Sequence, residues 1–166
     1  MKRFVLILLT LISGCGGKLS DEQRKQMKEG MEQQKIVQLS DSEIVTAALD
    51  QGQAIFNVLE KLKFDPTKID SVARHYRVNI YWRTPGSSGA KEIEQQLIEA
   101  YVSGMVTGSL QDNIQPLHKG NQSGYDSLLY SKPVVTPMAD GIEKLDGVWN
   151  IYLSKKEIVL AVSAEK

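Results

Sequence analysis

Very few residues of this sequence could carry out covalent or metal chemistry. The chain has one cysteine, Cys15, and two histidines, His75 and His118. A lone cysteine forms no disulfide within the chain and no multi-cysteine metal site. The histidines lie on different predicted elements, and no Walker, G-x-G-x-x-G, G-x-S-x-G or H-E-x-x-H motif is present. Without a visible pair of nucleophile and base, the sequence predicts a protein that is not an enzyme and has no metal site.

The residues before Cys15 form a pattern typical of an export signal. Two basic residues at positions 2 and 3 precede an apolar run over residues 4–12. This run is much shorter than the roughly 20 apolar residues that span a bilayer. The segment ISGC at residues 12–15 resembles the lipobox of bacterial lipoproteins. The resemblance implies that residues 1–14 are a lipoprotein signal peptide and that the Cys15 thiol receives a diacylglycerol, usually with an additional N-acyl chain.

A lipobox implies a location at the cell envelope. The bilayer would be the first partner, bound through acylated Cys15, with the folded domain in the periplasm. Gly16 rather than aspartate follows the cysteine, and by resemblance to common sorting rules this favours the outer membrane over the inner. The chain has 20 basic and 20 acidic residues, and removal of the two basic residues at positions 2 and 3 leaves 18 against 20. No basic stripe is present, so we expect no nucleic-acid partner.

Two other features could bind a ligand without covalent chemistry. His118 is predicted in a loop, where it could act as a base or axial ligand, although a solvated loop histidine is the ordinary interpretation. His75 is interpreted as a surface residue of a helix. The run GSSG at residues 86–89 precedes a predicted helix, and the free N–H groups of a helix start can bind an anion. Such runs also commonly serve only as a cap and a turn.

The helical signals divide the chain into a tether and a domain. Residues 15–39 are polar and are predicted to form a tether, partly helical from a capping box at Ser20 and Gln23. Residues 40–166 are predicted to form the folded domain. Capping, proline and apolar periodicity predict helices over residues 41–62, from Pro66, over residues 90–106 and from Lys155.

Alternating apolar and polar residues predict the strands of one sheet. The strands are expected over residues 78–83, 125–135 and 147–153, and the part between residues 108 and 124 is expected to be turn-rich with short extended pieces. Helices followed by an antiparallel sheet with one inserted helix indicate an α+β domain.

Four aromatic residues lie on two of these strands. Trp82 and Trp149 are expected in the core, because large aromatic side chains bury much apolar area there. Tyr81 and Tyr152 occupy the opposite faces of their strands and are candidates to face a ligand.

Four segments together resemble one protein family, in the order of that family. They read KIDSVARHYRVNIYWRTP, GAKEIEQQLIEAY, LLYSKPVV and LDGVWNIYLS, within residues 41–154. They are similar to the periplasmic c-type haem domain family of unknown function. The resemblance implies a PAS-like sensor fold, with an antiparallel sheet, N-terminal helices and one inserted helix. Tyr130 and Lys132, in the segment that looks like the family's Tyr-x-Lys-Pro strand, are further candidates to face a ligand.

The sequence departs from that family where haem would be attached. Haem-bearing members carry a Cys-x-x-Cys-His between the last two strands, and covalent attachment needs both thiols. Here the interval from Thr136 to Leu145 contains neither cysteine nor histidine and is predicted to be a short turn. Asp140, Glu143 and Asp146 are interpreted as solvated turn residues. We therefore expect no covalent haem and no other cofactor.

The function expected from this combination is a membrane-anchored lipoprotein with a sensory or ligand-binding domain. Its further partner would be a small molecule or an envelope protein. Two alternatives stay open: a structural or partner-binding lipoprotein of an envelope complex, and a protein that binds haem without covalent bonds, through His118 or a methionine.

Overall fold

A computed structural model of the chain describes residues 20–25, 39–108, 110–118, 124–139 and 143–165. The chain divides into two units, Met1–Val37 and Gln38–Lys166. In the first unit, residues 21–25 are helical, and the backbone and side chains of Ser20 and Gln23 form the predicted capping box, at 3.1 and 3.2 Å. The predicted signal peptide, Cys15 and most of the predicted tether lie outside the described residues.

The described part of the second unit contains four helices, and all four were predicted. Ser40 and Glu43 form the expected capping box at the start of the first helix, and Asp65 caps the second by accepting from the Thr67 N–H. Gly108 ends the third helix with φ of 68°, a left-handed conformation that glycine adopts readily. The helices are α1 (Asp41–Lys61), α2 (Pro66–Tyr76), α3 (Glu92–Thr107) and α4 (Lys155–Glu165).

Four antiparallel strands form one sheet in the order β1-β4-β3-β2, which confirms the α+β class. The strands are β1 (Asn79–Arg83), β2 (Asn113–His118), β3 (Tyr125–Pro137) and β4 (Glu143–Ser154). The inserted helix α3 connects β1 to β2. The two longest strands, β3 and β4, pair along nearly their whole length at the centre of the sheet, so each of them has neighbours on both sides.

Three expectations about the sheet were wrong. The turn-rich part of the chain contains a full strand, β2, and His118 is its last residue rather than part of a loop. The strand β4 begins four residues earlier than predicted, because Glu143 pairs with Pro137 and Lys144 with Thr136. Glu143 and Asp146 are therefore strand residues and not members of a solvated turn; Asp140 lies outside the described residues.

The helices cover both faces of the sheet. The larger core cluster lies on the face that carries Trp82, Trp149 and Tyr130, and it includes residues of α1, α2 and α4. The smaller cluster lies on the opposite face, where α3 packs through Leu97, Ile98 and Tyr101. Within the described ranges, no helix combines the length and apolar character needed to cross a membrane.

The approach of α1 to the sheet depends on one glycine. Gly52 is buried in α1, and a Cβ atom at that position would overlap the ring of Tyr130, which has no exposed surface. A glycine in the middle of a helix costs roughly 0.5–1 kcal/mol relative to alanine. The sequence tolerates this cost because only glycine lets the helix backbone come so close to the tyrosine.

We expect Gly52→Ala to lower the free energy of unfolding by about 1–3 kcal/mol, since the added methyl group must displace a ring that is fully packed. Chemical denaturation followed by circular dichroism measures the change. Gly124→Ala is the matched control, because a Cβ atom there meets no atom within 4 Å. Equal stability of the two variants would contradict the close-packing role of Gly52.

Candidate functional site

Side chains fill the space between the sheet and its helices. On the α1 face, Ile55, Leu59 and Tyr130 are fully buried. On the α3 face, Leu97 and Ile98 pack against side chains of β3 and β4. A ligand held between sheet and helix would have to displace these core residues. The cavities that the described residues line are instead open clefts at the surface.

Tyr81 and Tyr152, two of the predicted ligand-facing residues, lie together on the α3 face. Their rings meet edge to face with centroids 5.8 Å apart. Tyr81 is 37% exposed and has the Arg83 guanidinium 4.9 Å above its ring. Tyr152 is only partly exposed, and the Lys91 ammonium lies 4.1 Å from its ring centroid. Sequence reasoning placed both tyrosines on one face correctly, but it did not foresee what their neighbours on α3 would be.

The strongest polar cluster on this face surrounds Glu94, a residue that sequence reasoning missed. Its side chain has no exposed surface. It accepts hydrogen bonds from Arg83 Nε at 2.9 Å, from the Lys91 backbone N–H at 2.8 Å and from the Tyr152 hydroxyl at 2.7 Å. These contacts join the end of β1, the start of α3 and the last residues of β4. The only sequence signal was an acidic residue three positions into a helix, without a serine or threonine cap to draw attention to it.

The surroundings of Glu94 keep it ionised. Burial by itself would raise the pKa of this carboxyl, but the Lys91 N–H, the Tyr152 hydroxyl and Arg83 together hold its pKa below the usual value. The effect on Tyr152 is the opposite, because burial and the nearby Glu94 carboxylate raise the pKa of its phenol. The pair therefore consists of a carboxylate and a neutral phenol that donates to it, an arrangement that fixes structure.

A second hydrogen bond network holds α3 on the sheet further along the helix. The Tyr101 hydroxyl lies 3.0 Å from the Ser131 carbonyl oxygen and 2.8 Å from the Ser131 hydroxyl. Burial raises the pKa of Tyr101 to about 12, so its phenol stays neutral. Asn150 is fully buried on the same face, and its side-chain carbonyl has no hydrogen bond partner in the described part of the chain.

Tyr130 and Lys132, also predicted to face a ligand, lie on the other face of the sheet. Both contact Asp112, which sequence reasoning did not single out: the Tyr130 hydroxyl donates at 2.7 Å and the Lys132 ammonium at 2.9 Å. Lys132 also lies 4.8 Å from the ring centroid of Phe56 in α1. Burial, followed by the Asp112 charge, raises the pKa of Tyr130. The structure thus uses these two residues in an internal network, with the tyrosine ring wholly buried.

His118 lies apart from the other predicted residues, in a cleft of about 410 Å³ at the starts of α1 and α4. Its ring is exposed, meets the Tyr125 ring edge to face and has Nδ1 3.3 Å from the Gly124 carbonyl oxygen. The Tyr125 hydroxyl and the Lys155 ammonium both bond to Asp41, at 3.0 and 3.2 Å. The charged groups of this cleft are therefore paired with one another. His75, interpreted as a surface residue, is exposed.

The largest of these clefts, of about 600 Å³, lies between the β1–α3 loop and the outer side of α3; we call it the α3 cleft. Its apolar lining includes Pro85, Ile98 and Val102, and its polar lining consists mainly of hydroxyl and amide groups. The Ser87 hydroxyl in its wall is buried and has no hydrogen bond partner within the described ranges. The described lining residues are Thr84, Pro85, Gly86, Ser87, Ser88, Ala90, Gln95, Ile98, Glu99, Val102 and Ser103.

The α3 cleft includes the GSSG run, but the anion site suggested for that run is largely occupied. The Lys91 N–H at the start of α3 donates to the Glu94 carboxylate. The Ser87 N–H bonds to the Thr84 carbonyl at 3.0 Å, and the Ala90 N–H bonds to the Ser87 carbonyl at 3.3 Å. A protein carboxylate therefore already takes the place that a bound anion would take at this helix start.

The described residues hold no group of three or more histidine, cysteine, aspartate or glutamate side chains placed to bind a metal ion. Cys15, the predicted site of lipid attachment, lies outside them. The structure distributes the five predicted ligand-facing residues over three places: Tyr81 with Tyr152, Tyr130 with Lys132, and His118 alone.

We expect Glu94→Gln to lower the free energy of unfolding by about 2–4 kcal/mol, because it leaves the half-buried Arg83 without its counter-charge. The wild-type pKa of Glu94 is lowered on folding. Its contribution is therefore complete above the usual glutamate pKa of about 4.3 and is lost as the pH falls through the lower folded-state value. Denaturation at pH 7 and at pH 3 should show a difference between wild type and variant that shrinks in acid.

Glu92→Gln is the matched control for this experiment. Glu92 is on the same helix but is exposed, and it accepts only a long 3.4 Å hydrogen bond from Gln96. Its substitution should change stability by less than about 0.5 kcal/mol. An equal loss in the two variants would mean that Glu94 does not hold α3 on the sheet.

The chain was compared with protein-family models, with curated proteins and with solved structures. No family model, no curated protein and no solved structure matches it.

Proposed function

We propose that this chain is an envelope lipoprotein, anchored in a bilayer through acylated Cys15, whose domain binds a small ligand and catalyses no reaction. The basic pair, apolar run and ISGC segment of residues 2–15 support the anchor. The domain is separated from Cys15 by a polar stretch that would keep it clear of the lipid surface. The resemblance to a PAS-like haem domain family supports a sensory role rather than an enzymatic one.

The observation that carries the binding function is the α3 cleft. Its volume of about 600 Å³ falls within the roughly 300–1,000 Å³ of small-molecule sites, which are mostly apolar with a few placed polar groups. The described lining contains aliphatic side chains, hydroxyls, one amide and one carboxylate, with no histidine, cysteine or lysine among them. This is a set of groups suited to holding a ligand.

The Glu94 cluster gives this cleft a rigid base. It ties the last residue of the β1–α3 loop, Lys91, to α3 and to the end of β1. The end of the β1–α3 loop and the first turn of α3, which adjoin the cleft, are thus connected by charge-assisted hydrogen bonds, which are stronger than neutral ones. A pre-formed site binds without the entropic cost of ordering a loop.

A structural or partner-binding lipoprotein is the second candidate. It is favoured by the filled sheet faces and by two exposed apolar residues on α3, Val102 at 47% and Val106 at 89%. Non-covalent haem would need an axial ligand, and the exposed His118, in the cleft at the starts of α1 and α4, could serve as one. An absorption spectrum of the full chain purified from its native envelope tests for haem, because bound haem gives a Soret band.

We expect Cys15→Ser to abolish lipid attachment. The protein should then leave the membrane fraction for the soluble fraction, or accumulate with its signal peptide uncleaved. The reason is that only the thiol sulfur can form the thioether to diacylglycerol. Intact-mass spectrometry and membrane pelleting measure the change. A serine variant that pellets as before, with unchanged lipid mass, would rule out the lipoprotein anchor.

We expect Ser103→Trp to fill the α3 cleft and to remove any small molecule that co-purifies with the full chain in detergent. Ser103 is exposed in the lining, so the indole can occupy the cleft without entering the core. Gln96→Trp, on an exposed part of α3 outside the lining, is the control. Native mass spectrometry of the wild type and the two variants measures the bound small molecule. A ligand retained equally by all three proteins would place the site elsewhere.

A further inference from the structure

We infer that the α3 cleft takes a small organic cation: a primary ammonium or guanidinium group on an aliphatic chain. This inference rests on the proposed binding function and names the chemical class of its ligand. It depends on three features of the cleft, which are its charge, its hydrogen bonding groups and its apolar floor.

The charge of the cleft is negative. Glu99 is the one charged residue in the described lining, and it makes no hydrogen bond or ion pair within the described ranges. The whole of α3 contains three glutamates and no lysine or arginine. The cations at the two ends of the β1–α3 connection have other partners: Arg83 bonds to the buried Glu94, and Lys91 lies over the Tyr152 ring. A cation entering the cleft would therefore meet an unneutralised carboxylate.

The cleft offers acceptors for a ligand N–H. The Gln95 amide nitrogen donates one N–H to the Ala90 carbonyl at 3.3 Å, and the Gln95 side-chain oxygen makes no hydrogen bond within the described ranges. The N–H groups of Ser87, Ala90 and Lys91 are used within the protein. A ligand rich in N–H donors satisfies this set, whereas a carboxylate or phosphate would be repelled by Glu99.

The apolar floor of the cleft can contact the aliphatic chain of the ligand. Ile98 is buried and Val102 is 47% exposed, and they lie four residues apart on the same side of α3. Pro85 covers the loop side. Contact with these side chains would bury the methylene groups of an alkylamine next to the Glu99 carboxylate, as happens with the stems of lysine and arginine.

The test compares three probes of nearly equal shape on the full chain in detergent: n-hexylamine, 1-hexanol and hexanoate. Amide chemical shifts of α3 and the β1–α3 loop report binding and its location. We expect n-hexylamine to bind at least about threefold more tightly than 1-hexanol, since its ammonium group adds an exposed ion pair and a charge-assisted hydrogen bond to Glu99. Hexanoate should bind most weakly. The advantage of the amine should shrink as salt is raised from 0.05 to 0.5 M.

Glu99→Gln should remove the preference for n-hexylamine while leaving the affinity for 1-hexanol unchanged. Glu92→Gln removes the same charge from the same helix and should leave the preference within about twofold of wild type, because Glu92 is exposed to solvent and does not line the cleft. A lysine-containing tripeptide serves as a fourth probe. Tighter binding of n-hexylamine would indicate a free amine as the ligand, and tighter binding of the tripeptide would indicate a lysine side chain. Either result supports an organic cation as the ligand class.

Two outcomes separate failure of this inference from failure of the proposed function. If 1-hexanol and n-hexylamine bind the cleft equally and Glu99→Gln changes neither, the cleft is a ligand site but the cation class is wrong. If no probe shifts the amides of the cleft, and Ser103→Trp leaves the co-purifying small molecules unchanged, then the binding function itself is wrong.

Discussion

The buried carboxylate of Glu94 holds helix α3 in place on the sheet. Glu94 has no contact with solvent, yet it is ionised, because three donors from three different elements converge on it. Removing a charge from water costs several kcal/mol, and only complete satisfaction by nearby donors offsets that cost. The arrangement therefore tolerates little displacement of α3 relative to the sheet. The shape of the β1–α3 loop, and with it the α3 cleft, depends on the same three hydrogen bonds.

The central position of β3 and β4 determines where a ligand can bind. Both strands are covered on both faces, so residues that alternate along them are buried on each side: Leu128 and Tyr130 toward α1, Leu129 and Ser131 toward α3. A close-packed interior leaves no room for a small molecule without displacing several side chains. The clefts that the structure describes accordingly lie at the surface, beside helices and loops.

The helices could be predicted from the sequence because their signals are local. The Ser40–Glu43 capping box, the Asp65-Pro66 start and the Gly108 end each act within four residues, and each is found in the structure. The sheet was harder to predict. The strand β2 contains Pro116 and lacks clear alternation, and it is a strand because β3 lies beside it. The first residues of β4 are polar and extended for the same reason, since pairing with residues 135–137 supplies the order that their own preferences do not.

The residues of the candidate sites also divide into those predictable from local sequence and those that depend on contacts between distant elements. By itself the sequence determined the α+β class, the helix ends and the opposite faces of Trp82 and Tyr81, because these depend on neighbours within a few positions. Only the tertiary structure decided that Tyr130 and Lys132 meet Asp112, that Glu94 meets Arg83 and Tyr152, and that Glu99 lines a cleft without a partner among the described residues. Those contacts join residues from different elements, and their partners are set by strand register and helix packing, which no local pattern encodes.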